Sequence, residues 1–138
     1  MPEKRTIKRA RKDAAEGKAP STQAGEFVRE EMDHIREGKH GARSPQQAIA
    51  IGLSKARRAG VKLRPPKKGK TSARTRASAE RDYKRGQTGS HRKTSAKRSL
   101  ATTEALKRER RGAASHRALS AQAKRASAAR KRRGKAGM

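Results

Sequence analysis

Apolar and polar positions keep a helical rhythm over only one part of the chain. The large apolar residues Phe27, Val28, Met32, Ile35, Ile49, Ile51, Leu53, Val61 and Leu63 are gathered between Ser21 and Leu63, and outside this stretch bulky apolar residues occur singly. Ala24, Phe27, Val28, Met32 and Ile35 follow the i, i+3, i+4 spacing of an amphipathic helix. Ser21 or Thr22 offers its N-cap and Gly38 its stop. Glu26, Glu30, Glu31, Asp33 and Glu37 fill the opposite face. That acidic face is expected to be the one surface of the chain that repels phosphate.

A second helix is predicted from Ser44, with Ser44 at the N-cap, Pro45 at the first helical position and Gln47 at the capping-box position. Ala48, Ile49, Gly52, Leu53 and Ala56 form its apolar stripe, and Gly60 ends it. A glycine inside a helix costs about 1 kcal/mol relative to alanine, so Gly52 points to the close approach of another helix. Val61 and Leu63 are read as a short extended return before Pro65-Pro66. Residues 21–64 are therefore expected to form a small antiparallel helical hairpin that packs on itself or on a second copy, a homodimer.

The flanks read differently. Residues 3–16 predict a short basic helix, begun near Pro2 and ended by Gly17 and Pro20. Ile7 is its only bulky apolar residue, so little is expected to hold it in place. Beyond Lys67, a helix is predicted over SARTRASAERDYKR with Tyr83 as sole anchor. Residues 95–111 and 115–133 are further Ala/Lys/Arg/Ser helices with only Leu100, Leu106 and Leu119 to pack, punctuated by Gly86, Gly89, Gly112 and Gly134. The predicted fold class is all-α: a basic N-terminal helix over 1–20, the helical hairpin over 21–64, and a basic low-complexity tail over 65–138. The tail is expected to be largely disordered or conditionally helical, forming helices on a partner.

Composition sharpens this division. Aromatic residues make up only 1% of the 138 residues, and much of the 30% hydrophobic fraction is alanine. Burial on that scale cannot offset an ordering cost of roughly 1–2 kcal/mol per residue over the whole chain. Residues 1–66 carry 16 basic and 8 acidic side chains, residues 67–138 carry 24 and 4, and the formal net charge is +28. The back half is a polycation suited to a polyanionic partner. With no cysteine, disulfides and thiolate chemistry are excluded. No apolar run approaches the roughly 20 residues of a membrane span, and the N-terminus lacks the apolar core of a secretory signal. A cytoplasmic, nucleoid-associated, bacterial protein is the expectation.

Few motifs carry chemistry. Gly69-Lys70-Thr71 evokes a phosphate loop, but the required upstream glycine is Arg64 and no strand precedes it. His34, His40, His91 and His116 read as scattered, exposed histidines rather than ligands. A helix-turn-helix would use a tighter turn than Gly38–Arg43. No catalytic, cofactor-binding or metal-ligating residue is predicted, no small-molecule substrate is expected, and the chain is not expected to be an enzyme. Isolated leucines make a membrane surface a poor partner for the basic segments. Scarcity of aromatics disfavours single strands, whose bases stack on aromatic rings. Duplex DNA is the favoured partner. The predicted contacts are Arg57, Arg58, Lys67, Lys68, Lys70, Lys107, Arg108, Arg110, Arg111, Arg130, Lys131, Arg132 and Arg133. They would neutralise phosphates without base information, a non-sequence-specific, histone-like role. Structured RNA or the ribosome, and a protein partner for the hairpin, are the alternatives.

The strings EFV-EEM-HIREGKHGARS and QAIAIGLSKARRAG, within about residues 18–64, resemble a family of short basic bacterial proteins. That family is a domain of unknown function whose members are often labelled DNA-binding. The resemblance implies no site residue. The tail resembles, in composition only, the Ala/Lys-rich arms of linker-histone-like bacterial proteins.

Overall fold

The structure, a computed structural model, describes residues 2–89 and 95–136, with side chains through Gly134. His91, one of the four histidines, lies outside them. Every regular element among the described residues is helical: α1 (Lys4–Ala15), α2 (Pro20–Arg36), α3 (Pro45–Arg58), α4 (Ala73–Thr88), α5 (Ala96–Lys107), a 3-10 turn (Gly112–Ala114) and α6 (His116–Ala136). The chain is all-α.

Local chemistry explains most helix ends. Ser44 caps α3 by accepting from the Gln47 N–H at 3.2 Å, and the Gln47 side chain accepts in return from the Arg43 N–H. Ser72 and Ser95 cap α4 and α5 in the same way. α2 begins differently from expectation. Pro20 occupies its first turn with Ala19 before it, and no side chain caps it. Proline is preorganised for that position, and its missing N–H is one that has no intrahelical partner in any case. Gly134, expected as punctuation, lies inside α6.

The core comprises two apolar clusters set along the α2–α3 pair. At one end, Met32, Ile35, Ala42 and Ala48 are buried with Ala113 and Ala114, and Val28, Ile49 and Leu119 pack against them. At the other, Ala24, Phe27, Ala56 and Val61 are buried with Ala10, and Ile7, Leu53 and Leu63 pack against them. Between the clusters, a Cβ on Gly52 would lie 2.7 Å from Val28 Cα, so the two helix backbones touch where the sequence anticipated it.

Each cluster borrows side chains from a flank. α1 is not loosely held: Ile7 and Ala10 close the Phe27 cluster, and Thr6 O–H donates to Glu30 at 3.1 Å. Short residues suffice because the helices come close. The segment after α5 closes the other cluster. The Gly41 and Ala42 N–H groups donate to Leu106 O and Arg110 O at 2.8 and 2.9 Å, and Arg36 donates to Ala114 O. A Cβ at Gly41 would overlap Glu109 O at 2.0 Å. Gly86, expected to interrupt a helix, sits inside α4 and lets α4 rest on the end of α3, its site only 1.8 Å from Arg57 O once a Cβ is added. Gly89, at φ +68, is the residue that ends α4. Among the described residues, no helix is long and apolar enough to cross a membrane.

Candidate nucleic-acid interface

The basic residues singled out from sequence fall into two groups. Lys67, Lys68 and Lys70 are exposed in the segment after Pro66; Lys107, Arg108 and Arg110 are exposed at and just after the end of α5; Arg130, Lys131, Arg132 and Arg133 are exposed near the end of α6. Among the described residues, none of these ten is in an ion pair, although they lie on a chain with 12 acids. Arg58 is also exposed, donating only a long bond to Ser54 O within its own helix. These cations keep their hydration and counterions in the free protein, the condition for gain on meeting phosphate.

The second group is already engaged. Arg57 is 8% exposed, and its guanidinium donates to Leu63 O at 3.1 Å and to Arg64 O, fastening the return strand to α3. Burial lowers its pKa from the usual arginine value, against the raising influence of Asp82; the group remains cationic. Arg111 donates to Ile35 O and Arg36 O at 3.3 and 2.7 Å. It lies over Gly38 and caps the C-terminal carbonyls of α2, where a cation also suits the helix dipole. Both side chains are placed as internal fasteners.

The acidic face of α2 is smaller than its sequence implied. Glu30 and Glu31 are 4% and 0% exposed. Glu31 receives Lys55 on one oxygen and His40 Nε2 at 3.0 Å on the other, across the α2–α3 interface. Glu30 accepts from the Glu3 N–H and the Thr6 hydroxyl, which anchors the start of α1. A period-based reading assigns both to solvent because it counts helix faces and not the polar partners that flanking segments bring.

The histidines depart from expectation for the same reason. The His34 and His40 side chains are 14% and 13% exposed, their rings edge-to-face with centroids 6.1 Å apart. His34 Nε2 lies 3.0 Å from Glu3 Oε1. That hydrogen bond is the main reason the Glu3 carboxyl sits below its ordinary pKa, with Arg5 and Lys39 adding to it. Lys39 in turn is raised, chiefly by Glu37. Nothing in the spacing of Glu3 and His34, 31 residues apart, signals this pairing.

Residues 4–68 match a family of unknown function (DUF6496). The matched stretch, a little under half of the chain, takes in the 18–64 strings and adds α1, in keeping with the packing of α1 on α2. No curated protein and no solved structure matches the chain.

Proposed function

We propose that the protein binds nucleic acid without reading its sequence, with duplex DNA as the preferred partner and a nucleoid-associated, histone-like role. It performs no catalysis. The observation that carries this reading is the set of exposed, unpaired cations at 67–70, 107–110 and 130–133, on a chain of net charge +28. Two of the acids of α2, Glu30 and Glu31, are consumed internally, so they offer these cations little competition. Phe27 is buried at 1% exposure, which leaves Tyr83 as the one other Phe, Tyr or Trp ring of the chain and disfavours single strands.

The division of labour follows from packing. The α2–α3 hairpin, with α1 and residues 106–119 against it, is the folded platform. α5 buries none of its residues, and Leu100 is 60% exposed. α5 and the outer turns of α6 settle into their helical form along the phosphate backbone, so ordering and binding are coupled.

Fluorescence anisotropy with two duplexes of unrelated sequence and one structured RNA, at equal salt, tests the reading. Equal affinity for the duplexes, weaker affinity for the RNA, and a gain of helical circular dichroism on binding are expected. A preference for the RNA transfers the role to structured RNA; a strong preference between the duplexes contradicts non-specific binding.

A further inference from the structure

We propose that Glu3, Glu30 and His34 form a binding site for a single transition-metal dication of the zinc type. Glu30 and His34 lie four residues apart on α2 and share a face. The bond from the Glu3 N–H to Glu30 draws the start of α1 over that face and lays the Glu3 carboxylate beside the His34 ring. One ligating atom from each of the three residues lies within 4.8 Å of the others.

A second observation points to a cation. Glu30 is 4% exposed, and its Oε2 atom is buried without a hydrogen-bond partner. An unanswered buried polar atom is destabilising, and more so when charged. Arg5 pairs with Glu3 Oε2, and Lys39 lies 3.6 Å from Glu3 Oε1, yet no donor reaches Glu30 Oε2. A cleft of about 10 Å³ opens beside Glu30 and His34, with Arg5, Thr6, Arg9, Glu26, Arg29 and Asp33 as its other walls. That is room for about one water-sized occupant. Its three arginines, Arg5, Arg9 and Arg29, are matched in number by the three acids on the same walls, Glu26, Glu30 and Asp33.

The donor set suits the ion. One imidazole and two carboxylates leave a fourth position open, and zinc bonds of about 2.0–2.2 Å place tetrahedral ligands about 3.3 Å apart. The His34 Nε2 to Glu3 Oε1 separation of 3.0 Å is already close to that. The dication takes the place of the proton the two atoms share. Lys39 has Glu37 at 3.3 Å to pair with once displaced. The neighbouring set of Glu31, His34 and His40 is a weaker candidate, because both Glu31 oxygens are held by Lys55 and His40. A metal on Glu3, Glu30 and His34 ties the start of α1 to α2; Glu30 and His34 lie within the stretch that matches the family, and Glu3 lies just before it.

Chelator-treated full-length protein is titrated with zinc chloride by calorimetry, and its thermal unfolding is followed by circular dichroism with and without zinc. The expected result is one equivalent bound and a higher melting temperature. Glu30→Gln and His34→Gln each lower the affinity by about tenfold or more, whereas His116→Gln leaves it unchanged. Should His34→Gln fail to fold, Glu3→Gln takes its place, since the Glu3 side chain is more exposed than that of His34. Absence of stoichiometric binding, or binding that survives Glu30→Gln and either partner substitution, overturns the proposal.

Discussion

At the scale of single residues, this fold rests on glycines that permit contact and on the buried Glu31, both of whose oxygens are answered. Gly52→Ala would set a methyl group against Val28. Overpacking of about 1–3 kcal/mol outweighs the helix gain of about 1 kcal/mol. The variant should therefore unfold at a lower urea concentration. Lys55→Met leaves Glu31, fully buried, with His40 alone. Breaking a buried pair in this way should cost about 3 kcal/mol, read by the same denaturation. Glu3 supplies the pH dependence. Its folded pKa is depressed below the ordinary 4.5, so its contribution is present above that value and fades as pH falls through the folded one. In metal-free buffer, the stability of Glu3→Gln should vary less with pH below about 4.5 than that of the wild type; parallel acid-unfolding curves would refute the role.

At the scale of elements, all six helices are legible in the sequence, but the packing of the flanking helices on α2 and α3 is not. α2 and α3 declare themselves through Phe27, Met32 and Ile35, through the Ser44-Pro45 start, and through Gly52. The neighbours that complete the core are small: Ala10, Ala113 and Ala114. Alanine carries too little hydrophobic signal to mark a buried face, and Ala113 and Ala114 are buried beside the close backbone approach at Gly41. Glu30 and Glu31 were read as a solvent face for a related reason, since the donors that satisfy them come from α1, α3 and the connector. Gly41→Ala tests this level. It should expose the amides of residues 106–119 to faster hydrogen exchange while protection within α2 and α3 is largely retained. Unchanged exchange would mean the backbone bonds to Leu106 and Arg110 do not hold that segment.

At the scale of the whole molecule, the chain answers Glu31 and Arg57 within the fold and leaves its unpaired cation clusters at the surface. Arg57 and Arg111 are committed to carbonyls, and the exposed clusters remain for a polyanion. Because residues 106–119 help to close the core, a truncation that removes the back half would confound binding with folding. Substitution within the full chain keeps them apart. The most direct measurement is therefore the dependence of duplex-DNA affinity on salt, for the wild type and for a variant with Lys107, Arg108, Arg130, Lys131 and Arg132 changed to Gln. The slope of log affinity against log salt should fall in magnitude by about 4–5, with the unfolding midpoint unchanged. An unchanged slope in a fully folded variant would contradict the assignment of phosphate binding to these cations.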